Sequence, residues 1–200
     1  MTVEIRELTP ALLDDFLSFF DHDAFADFKW WSSCFCTFFN DPGHDGNSTA
    51  EMIPTRRPRA IELVRSGQTQ GLLAYADGRP VGWSNAAPRA SYRALRRFQV
   101  AVADPQEPVG STLCFVVAAP YRGKGIASAL LDAACEKFRR QGLTIAEGYP
   151  LTAPPQGPYA EQTPWTAHNY HGPLSMYLKA GYAVHRQFEQ FAVVRKTLHE

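Results

Sequence analysis

Apolar and polar side chains alternate over residues 3–7, VEIRE, the period of a strand with one covered face. Pro10 then opens ALLDDFLSFF, where Leu12, Leu13, Phe16, Phe19 and Phe20 return at helical spacing. After the turn-rich stretch DPGHDGNS, a second helix is predicted from Pro58 to Arg65, closed by Gly67. GLLAYA and VGWSNAA follow on either side of Asp77-Gly78-Arg79-Pro80. Asp-Gly supplies the positive φ angles of a tight reversal, so these two runs predict an antiparallel hairpin.

The arginine-rich segment SYRALRRF predicts a short helix, and a loop with Pro105 and Pro108 leads to STLCFVVAA. That run is apolar on both faces, the mark of a central strand covered from both sides. Positions 126, 130, 134 and 138, supported by 127 and 131, predict an amphipathic helix that ends at Gly142. LTIAEGYP reads as another strand. Residues 150–168 carry Pro150, Pro154, Pro155, Pro158 and Pro164 and form a connection of a length usual for lids and binding loops. A short helix, PLSMYLKA, closed by Gly181, and two strands, YAVHRQF and FAVVRKT, complete the chain.

Composition narrows the class. With 200 residues and 45% hydrophobic composition the chain can bury one sizeable core, so one domain over residues 1–200 is expected. The formal net charge is zero, which removes the electrostatic pull toward nucleic acid or an anionic bilayer. There is no apolar run of about 18 residues and no signal-like N-terminus, so a cytoplasmic protein with no membrane partner is expected. Cys34, Cys36, Cys114 and Cys135 are few and irregularly spaced and are expected as reduced thiols. Cys34 and Cys36 in WWSSCFC amount to half a zinc site, so no metal is expected.

Candidate chemistry concentrates in APYRGKGIASAL, where an apolar strand passes into a helix. A helix start exposes unpaired N–H groups and the positive end of its dipole, and so attracts phosphate. Gly123 and Gly125 let that backbone approach a ligand, while Arg122 and Lys124 add positive charge. A lone glycine pair by itself is more simply a plain strand-to-helix turn. The stretch is neither a nucleoside triphosphate loop nor the dinucleotide fingerprint, whose further residues are missing.

FVVAAPYRGKGIASALLDAA resembles the acetyl-coenzyme A motif of the GNAT superfamily of N-acetyltransferases, with Arg122, Gly125 and Ala127 on its key positions. MYLKAGY resembles that family's second signature through Tyr177, Lys179, Gly181 and Tyr182. The resemblance fits residues 70–197 well and the first 60 only in outline. It implies an α/β (α+β) fold: a mixed, mostly antiparallel sheet of about seven strands, flanked by helices and splayed between its fourth and fifth strands. Acetyl-CoA is the implied cosubstrate, its pantetheine arm along the backbone of Phe115, Val116 and Val117. Its diphosphate would lie on Arg122, Gly123, Lys124, Gly125, Ile126, Ala127 and Ser128.

The implied reaction is direct attack by a primary amine on the thioester. A backbone N–H near Val117 would serve the oxyanion and Tyr177 would protonate the departing sulfur. For the base, Glu147 leads, because a carboxylate in a partly dry strand rises in pKa; His168 and His171 are the other candidates. Asn169 stands near, but displaced from, an asparagine common in the family. The acceptor is a small-molecule or peptide amine. WWSSCFC is read as core, or as one wall of the acceptor pocket with Trp83 and Tyr149, which would favour an apolar or ring-bearing amine. Arg56, Arg57, Arg59 and Arg93, Arg96, Arg97 read as solvated faces, one of them a candidate for the coenzyme 3'-phosphate. A homodimer is compatible with all of this, and the competing reading is a non-catalytic acyl-coenzyme A sensor or protein-interaction module on the same fold.

Overall fold

The computed structural model describes residues 2–41, 50–92, 95, 106–154 and 169–199. β1 (Val3–Glu7) is followed by a 3-10 turn over Pro10–Leu12, by α1 (Leu13–Ser18) and by a wide π-type turn over Phe19–Asp23. The expected helical spacing thus survives through three successive helix types, with Leu13, Phe16, Phe19 and Phe20 buried. α2 runs over Ile53–Arg65 and starts earlier than the predicted Pro58. The first-turn proline is Pro54; Pro58 lies inside the helix, where its missing N–H leaves one carbonyl of the preceding turn without its helical partner.

β2 (Gly71–Ala76) and β3 (Arg79–Pro88) form the predicted hairpin, with Asp77 at φ 50° and Gly78 at φ 76°. Two successive positive φ values match the twist of the flanking strands. β4 (Val109–Val117) pairs antiparallel with β3 and parallel with β5 (Ile145–Gly148). A parallel pair requires a crossover, supplied by α3 (Ile126–Arg140). α4 (Leu174–Lys179), β6 (Ala183–Gln187) and β7 (Ala192–Thr197) follow. The result is one mixed, mostly antiparallel sheet of seven strands in the order β1-β2-β3-β4-β5-β7-β6.

Each face of the sheet carries its own core. On one, Phe16, Phe19, Phe20 and Phe35 gather around Trp83, with Phe16 edge-on to the indole at 5.0 Å. On the other, α3 lays Ile126, Leu130, Leu131, Ala134 and Phe138 against Leu72, Ala74 and Ala146. Of the expected solvated arginines, Arg57 bonds Asp21 at 2.9 Å, Arg59 bonds Glu62 at 2.9 Å, and Arg56 is buried. Arg93, Arg96 and Arg97 lie outside the described residues. No helix among the described residues is long and apolar enough to cross a membrane.

Phe138 is fully buried, and its ring fills the space where a Gly110 side chain would stand. Phe138→Ala is expected to cost about 3–5 kcal/mol of stability in urea denaturation, because the deleted ring leaves a cavity that β4 and α3 cannot close.

Candidate active site

The site begins where two strands part. β4 and β5 pair from Val109–Ile145 to Thr112–Gly148 and no further. At that point β4 holds one residue more than β3 can match: Asn85 pairs with Cys114 and Ala86 with Thr112, leaving Leu113 as a bulge. A bulge bends its strand and breaks the ladder locally. Beyond it the Leu113 carbonyl meets His171 Nδ1 at 2.7 Å, and the Val117 carbonyl accepts from Arg122 Nε at 2.9 Å. Ala118 donates to Val81 on the other side, so strand alternation turns Phe115 and Val117 to the open edge and Val116 toward β3. A cavity of about 440 Å³ lies along that edge, bounded by Phe115, Val116, Val117, Arg122, Gly123 and Ala127.

The start of α3 meets the same cavity. Gly125 is its N-cap at φ 81° and Gly123 stands at φ 74°, left-handed values that a side chain resists. No side chain caps the helix, no acidic residue occupies its first turn, and nothing approaches within 4 Å of where a β-carbon on either glycine would sit. The first bond into the helix runs from Ala129 N to Gly125 O, so the amides ahead of it have no partner within the helix. Ile126 turns into the core, while Lys124 and Ser128 are exposed, Lys124 over the Tyr121 ring at 5.3 Å. Arg122 is engaged by Asp27, Nη2 to Oδ1 at 3.0 Å. The guanidinium hydrogen bonds hold the Asp27 carboxyl below the usual carboxylate range.

Tyr177 stands at the parting itself. Its ring occupies the space that Gly148 leaves vacant, where a β-carbon would lie 2.2 Å from Cε1, and meets Phe115 edge-on at 6.4 Å. Its hydroxyl donates to the His171 carbonyl at 2.8 Å, and burial pushes the phenol well above its ordinary pKa. His171 is held neutral: burial lowers it to about 4, against the opposing pull of the Leu113 carbonyl. Asn169, expected as displaced, lines the cavity beside Tyr170. His168 lies outside the described residues.

Glu147 departs from the expectation of a poised base. It is 1% exposed and lies on β5 opposite Arg195 of β7. Its carboxylate accepts from Arg195 Nε at 2.6 Å, Arg89 Nη1 at 3.3 Å and Tyr149 Oη at 2.5 Å. Both arginines also reach Glu107, at 2.8 and 3.3 Å. Two guanidinium groups and a phenol already use the lone pairs a base would offer.

A second cavity, of about 200 Å³, lies on the α1 side of β4 and shares Phe25, Trp31, Val116 and Tyr170 with the first. Trp31, Cys34 and Cys36 of WWSSCFC do reach its wall. Trp83 and Tyr149, expected beside them, do not: the indole is fully buried against Phe16, and Tyr149 is turned to Glu147 and Ser111. Asp27, Phe38, Phe39 and Tyr170 belong to the site without any signal in local spacing. No group of three or more metal-ligating side chains assembles among the described residues.

The fold is that of solved acetyltransferases. The structure resembles the paiA N-acetyltransferase of Thermoplasma acidophilum in complex with coenzyme A: 17% identity over 98% of this chain and 99% of that one, TM-score 0.55. It also resembles a phosphinothricin acetyltransferase (Pat) of Sinorhizobium meliloti in complex with AcCoA: 15% identity over 100% and 90%, TM-score 0.52. A ribosomal-protein-alanine N-acetyltransferase of Brucella melitensis is similar at 17% identity over 98% and 99%, TM-score 0.51. No curated protein matches in sequence. The family model for the acetyltransferase (GNAT) family matches residues 5–148, so the chain belongs to that family. That match takes in residues 5–60, a region that the motifs alone fit only in outline.

His171 yields a prediction from its lowered pKa. Below about pH 6.5 the unfolded imidazole takes up a proton that the folded one refuses until about pH 4, so stability is full above that window and falls through it. The wild type is expected to lose up to about 3 kcal/mol across the window relative to His171→Asn, read by chemical denaturation of both proteins at matched pH.

Proposed function

We propose that the protein transfers an acetyl group from acetyl-coenzyme A to a primary amine, the nitrogen attacking the thioester directly. The observation that carries this reading is that the parted edge of β4 and the uncapped start of α3 border one cavity. A strand edge suits an extended amide-bearing arm, and bare helix amides suit a diphosphate. The two neighbours whose bound molecules are coenzyme A and AcCoA share this fold.

In this reading the amides of Gly123, Lys124, Gly125, Ile126, Ala127 and Ser128 receive the diphosphate, with Arg122 and Lys124 adding charge. Phe115 and Val117 bond the arm through their backbone, and the Val117 N–H faces the developing oxyanion. Val116 contributes its side chain alone, since its amide turns toward β3. Asp27 is the anion that Arg122 must release before the diphosphate can take its place. Tyr177, protonated at any physiological pH because burial raises its pKa, donates to the leaving sulfur, and the proton lost by the attacking nitrogen restores the phenol. Glu147 serves as the anchor of the Arg89–Arg195 pair below the parting, and not as the base.

Calorimetry with coenzyme A tests the cradle. Gly125→Val is expected to weaken binding about tenfold or more, since a β-branched residue resists positive φ. Asp27→Asn is expected to tighten binding, by removing the competing carboxylate. No binding by the wild type would end the proposal. Tyr177→Phe is expected to lower kcat by about a hundredfold with coenzyme affinity retained. Glu147→Gln is expected to cost about 3 kcal/mol or more in stability by leaving buried arginines underpaired, while kcat of the folded protein holds.

A further inference from the structure

We infer that the smaller cavity is the acceptor site and that it takes an uncharged, ring-bearing amine whose nitrogen is attached to the ring, an arylamine. The inference rests on the proposed acetyl transfer and names its substrate class. Trp31, Phe38, Phe39 and Tyr170 present aromatic surface, Cys36 and Cys114 present sulfur, and the lining holds no carboxylate, ammonium or guanidinium among the described residues. Trp31 and Tyr170 meet edge-to-face at 5.2 Å, which fixes two of these walls against each other. Cys36 is pinned as well, its sulfur accepting from Asn85 Nδ2 at 3.1 Å and its backbone held at φ 50°.

Size sets the first limit. An apolar cavity of about 150 Å³ accepts benzene, so about 200 Å³ holds one ring with a small substituent. Charge sets the second. An ammonium entering this cavity would lose its hydration and find no counter-charge on the described lining residues, a cost of several kcal/mol. His171, whose ring centroid lies 4.1 Å from that of Tyr170, donates Nδ1–H to the Leu113 carbonyl, and burial, which lowers its pKa to about 4, leaves its other ring nitrogen a weak base. An alkylamine arrives protonated at neutral pH and needs a base to strip it; an arylamine arrives neutral. Val116, on the wall of both cavities, marks where the ring nitrogen would face the thioester. There the nitrogen lone pair forms the new C–N bond, the C–S bond breaks with its electrons to sulfur, and one N–H proton ends on that sulfur by way of Tyr177, leaving an anilide and free coenzyme A.

The test compares p-toluidine with benzylamine, isomers that differ in whether nitrogen sits on the ring. At pH 7, with saturating acetyl-coenzyme A, kcat/KM by thiol release is expected to be at least about tenfold higher for p-toluidine, since benzylamine is almost wholly protonated there. A binding readout stands beside the rates: p-toluidine is expected to bind the coenzyme A complex by calorimetry. Cys34→Trp, at a half-buried wall position, is expected to weaken that binding about tenfold by filling the cavity, with coenzyme A affinity unchanged. If coenzyme A binds but benzylamine matches or exceeds p-toluidine, or neither amine reacts, or p-toluidine binds the variant as well as the wild type, the arylamine assignment falls while the coenzyme cradle stands. Failure of coenzyme A itself to bind would remove the proposed function and this inference together.

Discussion

The separation of β4 from β5 after Thr112 and Gly148 is the constraint on which the rest of the molecule depends. Up to that point the two strands satisfy each other as any parallel pair does. Past it, the bulge at Leu113 bends β4 away and a row of backbone groups faces open space in the middle of a sheet. Unpaired backbone in such a place is costly unless something bonds to it. The protein covers part of the row itself, with His171 on the Leu113 carbonyl and Arg122 on the Val117 carbonyl. What lies between is the cavity, while the Tyr177 ring fills the space beside Gly148 at the parting.

Charge is arranged to match. The start of α3 carries no acid and no capping side chain, so its positive end stays available. Where negative charge is buried, at Glu147, two arginines accompany it in one network with the half-buried Glu107, away from the cavity walls. The smaller cavity is left apolar. The uncapped helix start, the open strand edge and the smaller cavity therefore occupy three neighbouring regions grouped around one strand, β4.

Much of this was readable in the chain. Asp77-Gly78 specified its hairpin, the run ending in Phe115, Val116 and Val117 specified a central strand, and the helical period from Ile126 specified α3, because each depends on local dihedral preference or periodic burial. Arg122, Gly125 and Ala127 were singled out instead by the resemblance to the family's acetyl-coenzyme A motif. The ion pairs that occupy Glu147 were not legible because its partners, Arg89 and Arg195, are 58 and 48 residues away in sequence. Asp27 was missed altogether, 95 residues from Arg122. No periodicity carries such pairings; they exist only once the sheet has closed. The start of α2 was misplaced for a different cause, since Pro58, expected at the start of the helix, lies inside it.

Amide hydrogen exchange with and without coenzyme A tests the central claim most directly. Slowed exchange at Phe115, at Val117 and across residues 123–128, with the rest of the sheet unchanged, is the predicted result. Exchange at those amides that stays the same while coenzyme A binds, with protection appearing elsewhere, would contradict the account.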